Sequence, residues 1–270
     1  MAPTGGERGH TMELNLAGRT VLISGGSKGI GLGIARHFAA EGCNLVLVAR
    51  SKDQLETAAE TIRASAQVNV RTLALDLSDQ TQRDRLVAAH PDIDVLVNNA
   101  GAIPGGDIFY VDDKAWREGW ELKVFGYVNL TRAYLARMKE RRKGVIINIC
   151  GAGGETLSFG YIAGAAGNSS LMAFSKALGG MSTDFGVRVL AVNPGPVETD
   201  RIVYLAKQSA QANLGDESRW RESFARMPYG RPATTDEIAP MVVFLASDLA
   251  RYVSGTVVTM DGGLGTRNRG

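Results

Sequence analysis

The sequence predicts a single-domain α/β fold, a doubly wound, seven-stranded parallel sheet with helices on both faces. Three observations carry this expectation. Short β-branched runs alternate with longer amphipathic stretches, the pattern of parallel strands joined by crossover helices. The runs VLIS, LVLV, VLVN and VIINI show no polar alternation, so both faces of each strand are expected to be covered. The first of these runs leads straight into a Gly-rich turn and then into a helical pattern, the order of a strand–turn–helix unit.

Taken in order, the expected strands are Thr20–Ser24, Asn44–Ala49, Val70–Ala74, Val95–Asn98, 145–149, 188–192 and Val257–Met260, each a short apolar or β-branched run. Apolar spacing predicts helices over 31–40, 53–66, 113–141, 169–185 and 235–247. No linker or internal repeat interrupts the series. Residues 1–12, rich in Gly, Pro, Thr and charge, are expected to form a flexible segment ahead of one domain spanning 13–270.

Composition removes several classes of function. Thirty basic and 28 acidic side chains leave a net charge of +2, without the electrostatic footprint of a nucleic-acid binder. The two cysteines, Cys43 and Cys150, fit neither a disulfide framework nor a zinc-ligand spacing, so no metal is expected and a reducing compartment is. The N-terminus carries no signal-peptide core, and no apolar stretch reaches the ~18 residues of a membrane span. A cytoplasmic protein acting on a small molecule, without membrane or nucleic-acid partners, is the expectation.

The turn after the first strand reads Gly25, Gly26, Ser27, Lys28, Gly29, Ile30, Gly31. Glycines there let backbone approach a pyrophosphate, and the following helix N-terminus offers free N–H donors and a favourable dipole. Four further motifs follow in order: Asp76–Leu77, Asn98–Asn99–Ala100–Gly101, Pro194–Gly195 with Thr199, and Asp261–Gly262–Gly263. With these five motifs the chain resembles the short-chain dehydrogenase/reductase family from about Leu16 to Gly263, with Ser24 where the family's turn usually begins with Thr. The resemblance implies a Rossmann-like fold and a nicotinamide dinucleotide cofactor held by Gly25, Ser27, Lys28, Gly29, Ile30 and Gly31. It further implies Asp76 and Leu77 at the adenine, Asn98, Ala100 and Gly101 along the ribose, and Pro194, Gly195, Val197 and Thr199 facing the nicotinamide.

Which dinucleotide binds is an electrostatic matter. An acid ending the second strand accepts hydrogen bonds from the adenosine ribose, whereas a cation neutralises a 2′-phosphate. Here that strand ends in Ala49 followed by Arg50, and Lys28 stands in the glycine turn. Two cations and no carboxylate favour NADP(H) over NAD(H); the alternative reading is that both are ordinary solvated residues.

At the reacting end the chain departs from the resemblance. The family usually carries an Asn, Ser, Tyr and Lys, the Tyr transferring a proton. Gapless counting from Gly101 forwards and from Pro194 backwards places these positions at Lys123, Gly151, Gly164 and Asn168. Reading Met172 to Lys176 as the Tyr–Lys motif instead needs compensating gaps on both sides. A Lys therefore stands at the Asn position and an Asn at the Lys position. Tyr161, one turn before Gly164, is the candidate proton-transferring hydroxyl, with Lys123 expected to depress its pKa and Asn168 nearby. The plain alternatives are a pocket-lining aromatic for Tyr161, a solvated helix residue for Lys123 and a small buried residue for Cys150.

Gly151, Gly153, Gly154, Gly160, Gly164 and Gly167 are expected to leave room for substrate or for a close backbone approach. Residues 196–230 correspond to the family's substrate lid; their apolar side chains suggest a lipophilic or aromatic substrate, or simply the packing of the lid. Three functions stay open: an NADP(H)-dependent oxidoreductase working between carbonyl and alcohol, a catalytically silent NADP(H)-binding pseudoenzyme or partner subunit, and non-redox lyase or isomerase chemistry using Lys123 as base. The resemblance also implies a homo-tetramer or dimer joined through the long central helices.

Overall fold

The computed structural model of the protein describes residues 12–101 and 103–267. The segment expected to be flexible lies outside them except for Met12, which is exposed. Seven parallel strands form one sheet in the order β3-β2-β1-β4-β5-β6-β7. They are β1 Thr20–Ser24, β2 Asn44–Ala49, β3 Val70–Ala74, β4 Val95–Asn98, β5 Gly144–Ile149, β6 Val187–Pro194 and β7 Val257–Met260. The order turns back between β1 and β4, the crevice where ligands bind in open α/β sheets.

The uniformly apolar strands still obey the period of two. Val21 and Ile23 of β1 face a layer built from α1 (Gly29–Ala40), α2 (Lys52–Ser65) and α9 (Thr235–Ala246), with Phe38 and Ile238 in contact. Leu22 between them faces α3 (Gln80–Ala89) and α5 (Gly126–Arg141), packing among Leu86, Leu130 and Tyr134. Each of these side chains contributes about 1.5–3 kcal/mol by leaving water. Helix starts follow side-chain caps: Ser51 accepts from Gln54 N, Asp79 from Thr81 N and Gln82 N, and Thr234 with Glu237 closes a capping box.

The structure corrects the helical expectations in three places. Residues 113–141 are one continuous helical rod but not one regular helix: α4 (Asp113–Trp120) passes through a π-helical turn, Glu121–Phe125, into α5. The helix expected over 169–185 begins seven residues earlier, as α7 Ile162–Ser182, and ends in a 3-10 turn, Thr183–Phe185. Its first turns, IAGAAGN, carry too little apolar bulk to show a period. Two helices were absent from the expectation, α3 and α8 (Asp200–Leu214); the short α6 (Gly153–Thr156) completes the set.

Candidate active site

Two glycines shape the crevice at the carboxyl end of β1. Gly25 has φ +68°, and a Cβ there would lie 2.9 Å from Asn99 Nδ2. A Cβ on Gly31 would lie 2.1 Å from the Gly25 carbonyl oxygen, so only glycine lets the turn fold back on α1. The Ser24 hydroxyl accepts from Asn99 N at 2.9 Å and Ala100 N at 3.0 Å, tying β1 to the segment after β4. Gly25 N donates to Val48 O at 2.7 Å, which sets the turn against the end of β2. From the other side, Thr199 approaches within 3.3 Å of where a Gly29 Cβ would stand.

The twelve-residue α1 begins without a side-chain cap from Lys28 and without an acid in its first turn, so its N–H groups and dipole face the crevice uncompensated. Ser27 and Ile30 are half-buried beside it. Lys28 and Arg50 are exposed and form no ion pair among the described residues. Asp76 is half-buried, its Oδ1 accepting from Ser78 N and Ser78 Oγ, and Leu77 is buried behind it. Pro194 O accepts from Ala152 N at 2.8 Å, Gly195 N donates to Met260 O, and Val197 bridges to Ala233. Gly25 and Gly31 hold the turn, Ser24 ties it to Asn99 and Ala100, and Thr199 closes on Gly29, so these segments meet at the carboxyl ends of β1 and β4. The Asn98 side chain is fully buried, donating to Thr131 Oγ1 and Asn148 Oδ1, which leaves its backbone at the end of β4.

The second cluster forms at the end of β5. Lys123 lies in the π turn, and its side chain fills the space beside Gly101, where a Cβ would come within 2.6 Å of Lys123 Cδ. Its ammonium donates to Cys150 O at 2.8 Å and Ile149 O at 3.3 Å. Tyr127 Oη donates to the same Ile149 carbonyl. Burial lowers the Lys123 pKa to about 8, opposed by the Cys150 thiol and reinforced by the Arg201 charge. Burial pushes the Cys150 thiol itself up to about 12, which leaves it a small buried residue.

Tyr161 caps α7 from a non-helical conformation, and its ring lies flat over Gly164. A Cβ on Gly164 would be 2.0 Å from Tyr161 Cζ, so the glycine is what admits the ring. Asn168 is buried; its Nδ2 stands 3.0 Å from a Gly151 Cβ position, while its Oδ1 has no partner among the described residues. Burial raises the Tyr161 pKa above its ordinary value, with the Arg201 charge and a hydrogen bond from Asn168 acting against it. This corrects the expectation of a phenol depressed by Lys123: burial wins, and the opposing cation is Arg201.

Two expectations left with alternatives resolve toward the plainer one, close packing at the glycines and packing of the lid on itself. The glycine-rich stretch is not open space, because Tyr161 fills Gly164, Asn168 and Met172 fill Gly154, and Ile103 with Val124 and Trp120 fill Gly167. The apolar lid residues largely pack on each other, Ile202, Val203, Ala206 and Ala210 against Trp220, Phe224 and Met227. Lys176, on the face of α7 away from this cluster, is exposed. Arg201 and Tyr127 are residues the sequence reading missed. An arginine in the first turn of a surface helix and a tyrosine inside an amphipathic one carry no signal of their own.

Comparison with known proteins agrees with this geometry. Residues 25–265 match the family described as enoyl-(acyl carrier protein) reductase. The chain belongs to the short-chain dehydrogenase/reductase family. It is an oxidoreductase of that family. It is 31% identical over 255 residues to 3-oxoacyl-[acyl-carrier-protein] reductase FabG of Escherichia coli, covering 93% of this chain and 99% of that one. It resembles L-sorbose reductase from Gluconobacter frateurii, solved with NADPH and L-sorbose, at 33% identity and a TM-score of 0.89, covering 95% and 100% of the two chains. A putative NAD(P)-dependent gluconate 5-dehydrogenase from Beutenbergia cavernae, solved with bound NADP, superposes with a TM-score of 0.84 at 30% identity, covering 94% and 100%. No helix among the described residues is long and apolar enough to cross a membrane.

Proposed function

We propose that the protein is an NADP(H)-dependent oxidoreductase acting between a carbonyl and an alcohol, with a proton-transfer site rebuilt from Tyr161, Lys123 and Asn168. The observation that carries this reading is the Tyr161 ring lying over Gly164, with Tyr161 and Asn168 both beside Gly153 just after the end of β5. At the positions where the family usually has Asn, Ser, Tyr and Lys, this chain has Lys123, Gly151, Gly164 and Asn168; the phenol has moved to a neighbouring residue and the cation to a neighbouring helix.

The groove residues are assigned the cofactor: the Gly25–Gly31 turn and the α1 N-terminus the pyrophosphate, Asp76 and Leu77 the adenine side, Ala100 and the Asn98 backbone the ribose, and Pro194 to Thr199 the nicotinamide. Lys28 and Arg50, exposed and unpaired among the described residues, support a 2′-phosphate. When bound, the nicotinamide supplies or accepts the hydride. Tyr161, whose raised pKa keeps it protonated at neutral pH, gives its proton to the carbonyl oxygen in the reductive direction. The phenolate left behind is stabilised by Arg201 and Asn168. Lys123 fixes the end of β5 through its two carbonyl contacts and adds positive charge where negative charge develops.

Exposed Ile108, Phe109, Tyr110, Leu157 and Phe159 lie on the two loops joined by the Gly106–Tyr161 bridge and support a substrate with a lipophilic or aromatic part. A cytoplasmic homo-tetramer or dimer belongs to the same reading. The test is NADPH oxidation across a panel of lipophilic ketones and aldehydes, with NADPH and NADH titrated by calorimetry. Turnover with NADPH bound more tightly than NADH is expected, and Arg50→Ala is expected to weaken NADPH by about tenfold or more while sparing NADH. Saturable binding without turnover would identify a silent binder, and activity without nucleotide would identify lyase or isomerase chemistry.

A further inference from the structure

The reacting end of the groove holds two cations, Lys123 and Arg201, and neither forms an ion pair among the described residues. Arg201, in the first turn of α8, donates from Nη2 to Ile103 O at 2.8 Å. That bond places the guanidinium at Ile103, which also packs against Ala163 and approaches Gly167. A guanidinium carries five N–H donors in a planar fork, and this is its one hydrogen bond among the described residues. Its charge reaches both Tyr161 and Lys123.

Three carboxylates of the surrounding segments are engaged elsewhere. Glu155 accepts from the Thr259 hydroxyl, Asp107 accepts from Phe109 N and Tyr110 N within its own turn, and the charge of Glu198 acts on Arg231. Among the described residues no ion pair holds either cation, and Arg201 is exposed, so the guanidinium donors that Ile103 does not take are open to a ligand anion. Asn168 Oδ1, buried and without a partner, adds an acceptor that a ligand hydroxyl would satisfy.

We propose that Arg201 is the residue that recognises a carboxylate on the substrate, so that the pocket takes an oxo acid or hydroxy acid bearing an apolar portion. The inference rests on the reading above for the identity of the reaction, but recognition of the anion does not depend on turnover. A planar, bidentate guanidinium suits a carboxylate, and the apolar loops at Ile108–Tyr110 and Leu157–Phe159 suit the remainder of such a molecule.

The test is calorimetric titration of the full chain with benzoate and with benzamide, with and without saturating NADP+. Benzoate is expected to bind at least about tenfold more tightly than benzamide, Arg201→Leu to remove that preference, and Arg201→Lys to keep part of it. Arg50→Ala is expected to leave benzoate binding unchanged, which separates this site from the groove's phosphate end. Thermal melts of the Arg201 variants check that they fold. Equal binding of benzoate and benzamide, or a preference that survives Arg201→Leu, would overturn the proposal. So would an Arg201→Leu variant that loses NADP+ affinity while keeping its benzoate affinity, since the guanidinium would then serve the cofactor. Failure of the redox reading would appear separately, as absence of NADPH oxidation with every carbonyl.

Discussion

Lys123 is an ammonium held by two backbone carbonyls in a place where burial opposes its charge. Its pKa in the fold, about 8, lies below its ordinary 10.5, so between these values the unfolded chain holds more protons and stability rises with pH. Below about 8 both states are charged and the destabilisation is constant. Cys43 and Cys150 act in the opposite sense above 9.0, because burial raises both thiols to about 12 and the unfolded chain deprotonates first. Comparing the native chain with a Lys123 variant at each pH cancels the thiols and isolates Lys123. Urea unfolding is expected to show Lys123→Met more stable relative to the native chain at pH 7 than at pH 9; an equal difference at both would contradict the assignment. The sequence marks this lysine only through its position in the family register. Its burial depends on Gly101 leaving space for the stem and on the π turn that carries it, neither of which has a local signature.

At the scale of elements, the first turns of α7 are where fold and chemistry meet. IAGAAGN is helical without a periodic apolar face because its small residues admit neighbours: Tyr161 over Gly164, and Ile103 against Gly167. That explains why sequence periodicity locates only the second half of the helix. Gly164→Ala places a methyl inside the Tyr161 ring, and overpacking of this kind costs about 1–3 kcal/mol. The variant is expected to unfold at lower temperature and to lose most NADPH oxidation. Gly180→Ala in the same helix meets nothing within 4 Å and is expected to stabilise by up to about 1 kcal/mol. Equal effects of the two substitutions on melting temperature and turnover would contradict the packing account. Helix α3 was missed for a different reason: one of its two buried residues is Arg83, donating to Leu77 O and Ser78 O, and a charged residue reads as surface. The lid helix α8 was missed because its apolar residues pack within the lid and not on the sheet.

For the whole molecule, the strands were legible almost to the residue, since the central strands, covered on both faces, read as apolar runs, and the edge strands β3 and β7, only partly covered, still carry β-branched stretches. The glycine turn after β1 was legible because Gly25 and Gly31 sit where a larger residue does not fit. At the end of β5 the contacts of Lys123, Tyr161 and Asn168 were not legible, because they depend on Gly101, Gly164 and Gly151 leaving space for side chains distant in sequence. Exposed Phe125 and Met181, one ahead of α5 and one at the end of α7, support assembly through these two helices. Light scattering at micromolar concentration is expected to give a dimer or tetramer; a monomer would contradict this part of the account.

The central claim is that Tyr161 handles the proton in an otherwise intact NADP(H) site. Single-turnover NADPH oxidation, with a carbonyl found active in the panel and with cofactor saturation verified by calorimetry, tests it most directly. Tyr161→Phe is predicted to slow the chemical step by at least about a hundredfold, the low end of what a lost general acid costs, while NADPH affinity stays within about twofold. A Tyr161→Phe rate equal to that of the native chain would show that the proton travels by another route.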